Sequence, residues 1–240
     1  MNNEILKLMN VSKVFGDGDS SVSVLKDISF SISKGEFVAI VGPSGSGKST
    51  LLSIIGALLT PSNGKVILSN EDITDLKSSN LTSTRLKKIG FIFQASNLIP
   101  YLTIKDQLML IADIGNGNKK ESMKKVDGLC HDLGISHRLN HFPNSLSGGE
   151  KQRVAIARSF MNDPDIILAD EPTASLDSER GRKVVEMISR EVKSRKKAAI
   201  MVTHDERVLD LCDRILHIED GKIHVAPVIK KENHPSSSQE

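Results

Sequence analysis

The segment Gly42-Pro43-Ser44-Gly45-Ser46-Gly47-Lys48-Ser49-Thr50 constrains this chain more than any other. Its glycines let the backbone fold tightly, so that successive N–H groups can point at one phosphate chain. A helix that begins where the loop ends adds the partial positive charge of its N-terminus. In a G-x4-G-K-S pattern the lysine reaches the β- and γ-phosphates and the hydroxyl ligates magnesium, which assigns those roles to Lys48 and Ser49. The context fits, because the apolar run Phe37-Val38-Ala39-Ile40-Val41 precedes the loop and Leu51 to Leu59 follows it. The second run is about half the length of a membrane span and is expected to be a buried helix.

Three more apolar runs stop abruptly at polar residues. Ile166-Ile167-Leu168-Ala169 meets Asp170-Glu171, Ala198 to Val202 meets Thr203-His204-Asp205, and Ile89 to Phe93 meets Gln94. Short β-branched runs separated by helical stretches are expected to be buried parallel strands of an α/β sheet. Ligands of such sheets bind outside the carboxyl ends of the strands, so these polar residues should converge. Ile5 to Val11, Val24 to Ile32 and Lys65 to Ser69 alternate apolar and polar residues, which predicts an antiparallel sheet beside the parallel one. A small helical lobe is expected over about 95–160, containing a helix from Lys119 to Leu133 with Met123, Val126, Leu129, Cys130 and Leu133 on its apolar face. Ser178 to Lys197 is a second amphipathic helix, with Val184, Val185, Ile188 and Val192 inward. Residues 1–226 are expected to form a single domain, followed by a polar, disordered tail over 227–240.

Net charge narrows the partners. Thirty-two basic against 30 acidic residues give +2, without the concentrated basic excess of a nucleic-acid binder. Met1-Asn2-Asn3-Glu4 leads into no apolar stretch, so no secretory signal is expected, and Cys130 and Cys212 lack a CxxC spacing. The expected setting is intracellular, with both thiols reduced. His137 and His141 have the spacing of a metal pair but no neighbouring cysteine or matching carboxylate in sequence, and Lys193 to Lys197 is expected to be a solvated helix end.

Asp170 and Glu171 give the loop its chemistry. A carboxylate at a strand end can hold magnesium, and a second one beside it can polarise an attacking water, the metal role going to Asp170 and the general-base role to Glu171. Leu146-Ser147-Gly148-Gly149-Glu150 then opens the helix Lys151 to Arg158 and offers a second anion cradle at a second helix N-terminus. One nucleotide has no geometric use for two cradles in one chain unless a second copy supplies one of them.

With these motifs the chain resembles the ATP-binding cassette (ABC) ATPases, whose signature LSGGE(K/Q)QR stands here as Leu146 to Arg153. The resemblance runs from about Ile5 to Ile223. It implies an ABC-type P-loop NTPase that binds ATP and Mg2+ and dimerises head to tail, each ATP lying between the phosphate loop of one copy and the signature of the other. It places Ser147, Gly148 and Gly149 on the γ-phosphate of the opposite copy. Gln94 then matches the Q-loop glutamine that links magnesium to a membrane partner, and His204 matches the switch histidine. Ser175-Leu176-Asp177 matches the D-loop at the dimer interface. Phe15 holds the place of the adenine-stacking aromatic, where the family more often has tyrosine.

The same resemblance implies a subunit at the cytoplasmic face of the membrane, driving a separate permease. Soluble relatives that act on ribosomes carry two cassettes, and repair-type relatives insert long coiled coils, neither of which is present. An iron–sulfur assembly ATPase remains an alternative. The stretch Gly90 to Thr103 is similar to the macrolide-export and lipoprotein-release group. Within it, Phe93 to Thr103, Ile166 to Asp177 and Lys183 to Ile188 are most like haem-efflux (Hrt-type) ATPases, with antimicrobial-peptide and lipid export as rivals. Leu98, Ile99 and Tyr101 stand either in a groove for the permease or in the packing of the helical lobe.

Overall fold

A computed structural model describes residues 3–17, 20–174 and 176–225. Ser175 and the polar tail lie outside the described residues. Two sheets organise the chain. The first has the order β2-β1-β4-β5, from Val22–Ser33 (β2), Glu4–Phe15 (β1), Asn63–Leu68 (β4) and Glu71–Asp72 (β5), and its strands pair antiparallel. The second has the order β10-β9-β3-β8-β7-β6, from Lys222–Val225 (β10), Arg214–Glu219 (β9), Phe37–Val41 (β3), Ala198–Val202 (β8), Ile166–Asp170 (β7) and Ile89–Ile92 (β6). It is parallel except for β10.

Successive residues of the central strands feed opposite cores, as the two-residue period of a strand requires. Ile166, Leu168, Ala198 and Ile200 join one apolar cluster with the antiparallel sheet and helix α1 (Lys48–Ile55). Ile167, Ala169, Ala199 and Met201 join another with α3 (Ile104–Ile114), α4 (Lys119–Asp132), α5 (Gly148–Phe160) and α6 (Ser178–Ser194). Burial on both faces accounts for the unbroken apolar composition of β3, β7 and β8. Their register pairs Asp170 with Val202 and Ile40 with Val202. The strand ends are therefore level, which sets the phosphate loop, Asp170-Glu171 and Thr203-His204 side by side.

The expected helices end earlier than read, α4 at Asp132 and α6 at Ser194, while their named apolar positions face the core, Met123 only partly buried. Among the elements not anticipated are two helices and a hairpin. Helix α2 (Ser78–Lys88) buries only Thr84, so it has no apolar stripe to read. Helix α3 begins at a Thr103 cap that accepts from the Asp106 N–H, and buries Ile104, Leu108, Met109 and Ala112. The β9–β10 hairpin turns on Asp220-Gly221, a two-residue signal flanked by alternating apolar residues. No helix among the described residues is long and apolar enough to cross a membrane. Burial pushes both the Cys130 and the Cys212 thiols up to about 12, against thiolate formation.

Candidate nucleotide site

The phosphate loop is shaped by what surrounds it. Gly42 has φ +156°, and a Cβ there would lie 2.1 Å from the Ile218 carbonyl oxygen. Gly47 has φ +102°, and its Cβ would meet Leu25 at 2.8 Å and the Val24 carbonyl oxygen at 3.0 Å. Any side chain at either position collides with the hairpin or with β2, so the chain's own packing demands glycine. Lys48 crosses the loop, its Nζ donating to the carbonyls of Gly42 and Pro43 at 2.8 Å each. An ammonium carries three hydrogens, so one remains for a phosphate oxygen. Ser46 is buried, and its Oγ finds no partner among the described residues.

A cavity of about 430 Å³ lies above the loop, lined by Gly42, Ser44, Gly45, Gly47, Lys48, Ser49 and Thr50 and by Asp170, Glu171 and His204. Burial and the neighbouring Glu171 charge raise the Asp170 pKa, and Lys48 opposes them. Glu171 begins the turn after β7 with φ +48°, a strained conformation for a residue with a side chain. Its N–H donates to the Val202 carbonyl at 2.9 Å, which fixes the strained residue to β8. His204 Nδ1 lies 2.6 Å from Glu171 Oε2, yet off hydrogen-bond direction, and Oε2 is buried without a directed donor. A buried carboxylate oxygen held beside an imidazole, above a phosphate cradle, is suited to accept a proton from water.

The second cradle is built differently. Ser147 caps α5, its Oγ accepting from the Glu150 N–H at 3.3 Å, while Glu150 Oε2 accepts from the Ser147 N–H at 2.8 Å. Those bonds, with Arg138 Nε donating to Glu150 Oε1 at 2.7 Å, hold the Glu150 pKa down at about 2. The fold also supplies the carboxylate that sequence spacing does not: His137 Nε2 is 3.7 Å from Glu150 Oε1, an oxygen already engaged by Arg138. Gly149 would meet nothing within 4 Å if given a Cβ, and Gly148 would meet only a Leu176 methyl at 3.7 Å. Neither has a left-handed φ. Nothing inside the described chain requires these two glycines.

A family model described as ABC transporter matches residues 25–174. HrtA of Staphylococcus haemolyticus (strain JCSC1435), named as a hemin import ATP-binding protein, is 52% identical over 218 residues, covering 91% of this chain and 98% of that protein. The chain belongs to the ABC transporter family. HrtA of Staphylococcus aureus (strain MRSA252) is 49% identical over the same share of both chains. The ABC cassette MJ0796, solved as a dimer in a post-hydrolysis state bound to ADP and Pi, superposes with a TM-score of 0.84 at 40% identity, covering 95% of this chain and all of that one. Another ABC structure, cbiO1 of Clostridium perfringens, part of the transporter complex cbiONQ, gives a TM-score of 0.83 at 28% identity over 93% of this chain and 88% of its own. The fold expectation holds: this is an ABC-type P-loop NTPase with a mostly parallel sheet and an antiparallel β subdomain. It is the nucleotide-binding ATPase cassette of an ABC transporter.

Several expected site residues of this ABC cassette stand apart from the cavity. Gln94 is exposed just beyond β6, and Phe15 ends β1 half exposed, with the Lys13 ammonium 5.1 Å above its ring. Pro43 lies in the loop but not on the cavity wall, and Ser147, Gly148 and Gly149 lie at the start of α5. Asp177 caps α6, accepting from the Arg180 N–H at 3.0 Å. Leu98 packs against the core whereas Tyr101 is 77% exposed, which separates two residues read together. The basic run at Lys193 to Lys197 is tied into ion pairs, Lys193 with Asp213, Arg195 with Glu191 and Asp132, and Lys197 with Asp163. Glu150 with its partner Arg138 escaped the sequence reading, although Ser147-x-x-Glu150 is itself a capping signature.

Proposed function

We propose that two copies of this chain pair head to tail around two Mg-ATP and drive a separate membrane permease that moves haem, the chain lying against the cytoplasmic face of the membrane. The observation that carries the paired reading is the contrast between cradles: a Cβ at Gly149 would meet nothing within 4 Å and one at Gly148 only a Leu176 methyl at 3.7 Å, at a helix start that nothing among the described residues fills. A γ-phosphate from a second copy fits such a start, because unpaired N–H groups and the helix dipole favour an anion. Within one half-site the residues from Gly42 to Thr50 cradle the phosphates, Lys48 reaches the β- and γ-oxygens, and Phe15 stacks on adenine. Asp177 lies at the interface between copies.

The donor set fits magnesium: a hydroxyl at Ser49 and a carboxylate at Asp170 border one cavity. Those two residues would hold the ion, joined by Gln94 only when its loop moves in from outside the cavity, and the ion when bound would neutralise phosphate charge. Glu171 Oε2 takes the proton of the attacking water, and His204, whose Nδ1 stands 2.6 Å from that oxygen, reaches toward the γ-phosphate. Residues 1–226 act as one domain in this reading, with the helices over about 95–160 carrying the signature. No nucleic acid takes part, since the basic run is engaged in ion pairs.

Haem as cargo is supported by relatives near 50% identity that are named for hemin. Those names state import, whereas the resemblance of the Gly90 to Thr103 stretch is to exporters. The test is affinity purification of tagged Glu171→Gln with Mg-ATP from detergent-solubilised membranes, read by mass spectrometry and absorption. A co-purifying multi-span permease with a haem band supports the reading, and transport in vesicles of known sidedness then assigns direction. A permease without haem would favour peptide or lipid cargo. Recovery of soluble assembly proteins alone would favour the iron–sulfur alternative.

A further inference from the structure

The loop that follows β6 carries Gln94, and three side chains hold its backbone. Gln152 Nε2 donates to the Phe93 carbonyl at 3.3 Å. Arg158 forks across the next turn, Nη2 donating to the Ser96 carbonyl and Nη1 to the Asn97 carbonyl, both at 2.8 Å. Gln107 of α3 accepts the Ile99 N–H on its Oε1 at 2.9 Å, while its buried Nε2 has no hydrogen-bond partner among the described residues. Gln152 and Arg158 both belong to α5, the helix whose first residues are Gly148 and Gly149. Between their two anchors stand only Gln94 and Ala95, both exposed.

Arg158 is an expensive choice for a clamp. It is half-buried and makes no ion pair among the described residues, its guanidinium donating instead to two backbone carbonyls. A desolvated charge without a counter-charge costs stability, and an apolar side chain of similar length is often neutral or better in such a place. Its distinctive property is the rigid planar fork that two adjacent carbonyls can share. At about 1.5 Å per residue, α5 spans roughly 15 Å from Gly148 to Arg158.

We propose that Arg158 is a positioning residue that locks the loop carrying Gln94 to the helix carrying the signature glycines, so that the two move as one body. A shift of α5 when its start meets a γ-phosphate is thereby passed to Gln94 through a helix and a guanidinium fork. Gln152 keeps the strand side of the loop in line, and Gln107 ties its far side to α3. This inference rests on the roles proposed above for Gln94 and for Ser147, Gly148 and Gly149.

The test uses the full chain with Arg158→Met, which keeps the apolar stem and removes the fork, and with Arg158→Lys, which keeps the charge as a single point donor. Thermal unfolding, backbone hydrogen exchange over 94–99, and Mn2+ binding followed by electron paramagnetic resonance with a slowly hydrolysed ATP analogue are measured on each. The expected result for Arg158→Met is exchange faster by about tenfold in the loop alone, the effect of losing bonds to a charged donor. Its Tm stays within about 3 °C of the unsubstituted chain, since a partly desolvated charge is lost along with the bonds. Mn2+ half-saturation rises about fivefold or more while metal-free nucleotide affinity changes less than about twofold, and Arg158→Lys falls between. Unchanged loop exchange in Arg158→Met overturns the clamp. So does a general rise in exchange with a fall in Tm, which marks a packing role. If the unsubstituted chain binds no Mn2+ with nucleotide, the magnesium reading fails by itself, and loop exchange still decides the clamp.

Discussion

The phosphate loop and the start of α5 are both glycine-rich turns at helix N-termini, yet they answer to different constraints. At Gly42 and Gly47 the backbone is left-handed, and a methyl group would strike Ile218, Leu25 or Val24. At Gly148 and Gly149 the backbone is ordinary, and a methyl group would touch at most one Leu176 carbon. One cradle is a consequence of how this chain packs. The other is shaped by the bonds among Ser147, Glu150 and Arg138, and no contact among the described residues fills it. The difference lies in what each glycine answers to, and the pairing proposed above is what would give Gly148 and Gly149, at a helix start, their reason.

The largest expected effect falls on the cradle that is complete. Glu171→Gln should lower ATP turnover by about 10²–10⁴, with ATP affinity retained, measured by phosphate release and equilibrium binding. Next, the two cradles should respond oppositely to one methyl group. Gly47→Ala should weaken ATP binding to the isolated chain by about 10–100-fold, because the left-handed backbone and the Leu25 contact must both give way. Gly149→Ala should leave that binding unchanged and raise Tm slightly, as alanine favours a helix over glycine by up to about 1 kcal/mol. It should nonetheless depress ATPase activity. Equal loss of binding in both variants would break the comparison.

Acid should separate the cradles further. Glu150 is held at about 2, below its ordinary value of 4.5, so its contribution is present above pH 4.5 and lost as pH falls toward 2. Hydrogen exchange at the start of α5 should accelerate in that window, and Glu150→Gln should flatten the change. Asp170 shifts the other way: its raised pKa means its carboxylate protonates earlier than an ordinary aspartate as pH falls. Metal-dependent ATPase activity should therefore weaken on the acid side before α5 loses protection. The smallest expected effect is at Phe15→Tyr, where stacking is preserved and ATP affinity should change less than about threefold.

The strand ends were the most legible part of the molecule, because burial on both faces leaves unbroken apolar runs that stop where the site begins. Asp170, Glu171 and His204 follow directly from those stops, and the level register of β3, β7 and β8 brings them together. Helix α2 was illegible because it buries one threonine and offers no period. The hold of Arg158 on Ser96 and Asn97 spans about sixty residues and ends on backbone carbonyls, for which a sequence has no letter. The Glu150–Arg138 pair joins two side chains twelve residues apart across no helical spacing, although its capping half was written in Ser147 and Glu150.

The most direct test of the shared site is sedimentation of Glu171→Gln with saturating ATP and Mg2+, alone and combined with Gly149→Ala. Slow hydrolysis should hold two copies together, giving a dimer for Glu171→Gln and a monomer for the double variant, with both monomeric in the absence of ATP. A Glu171→Gln chain that stays monomeric at saturating ATP, or a double variant that dimerises as well as the single one, would contradict the account.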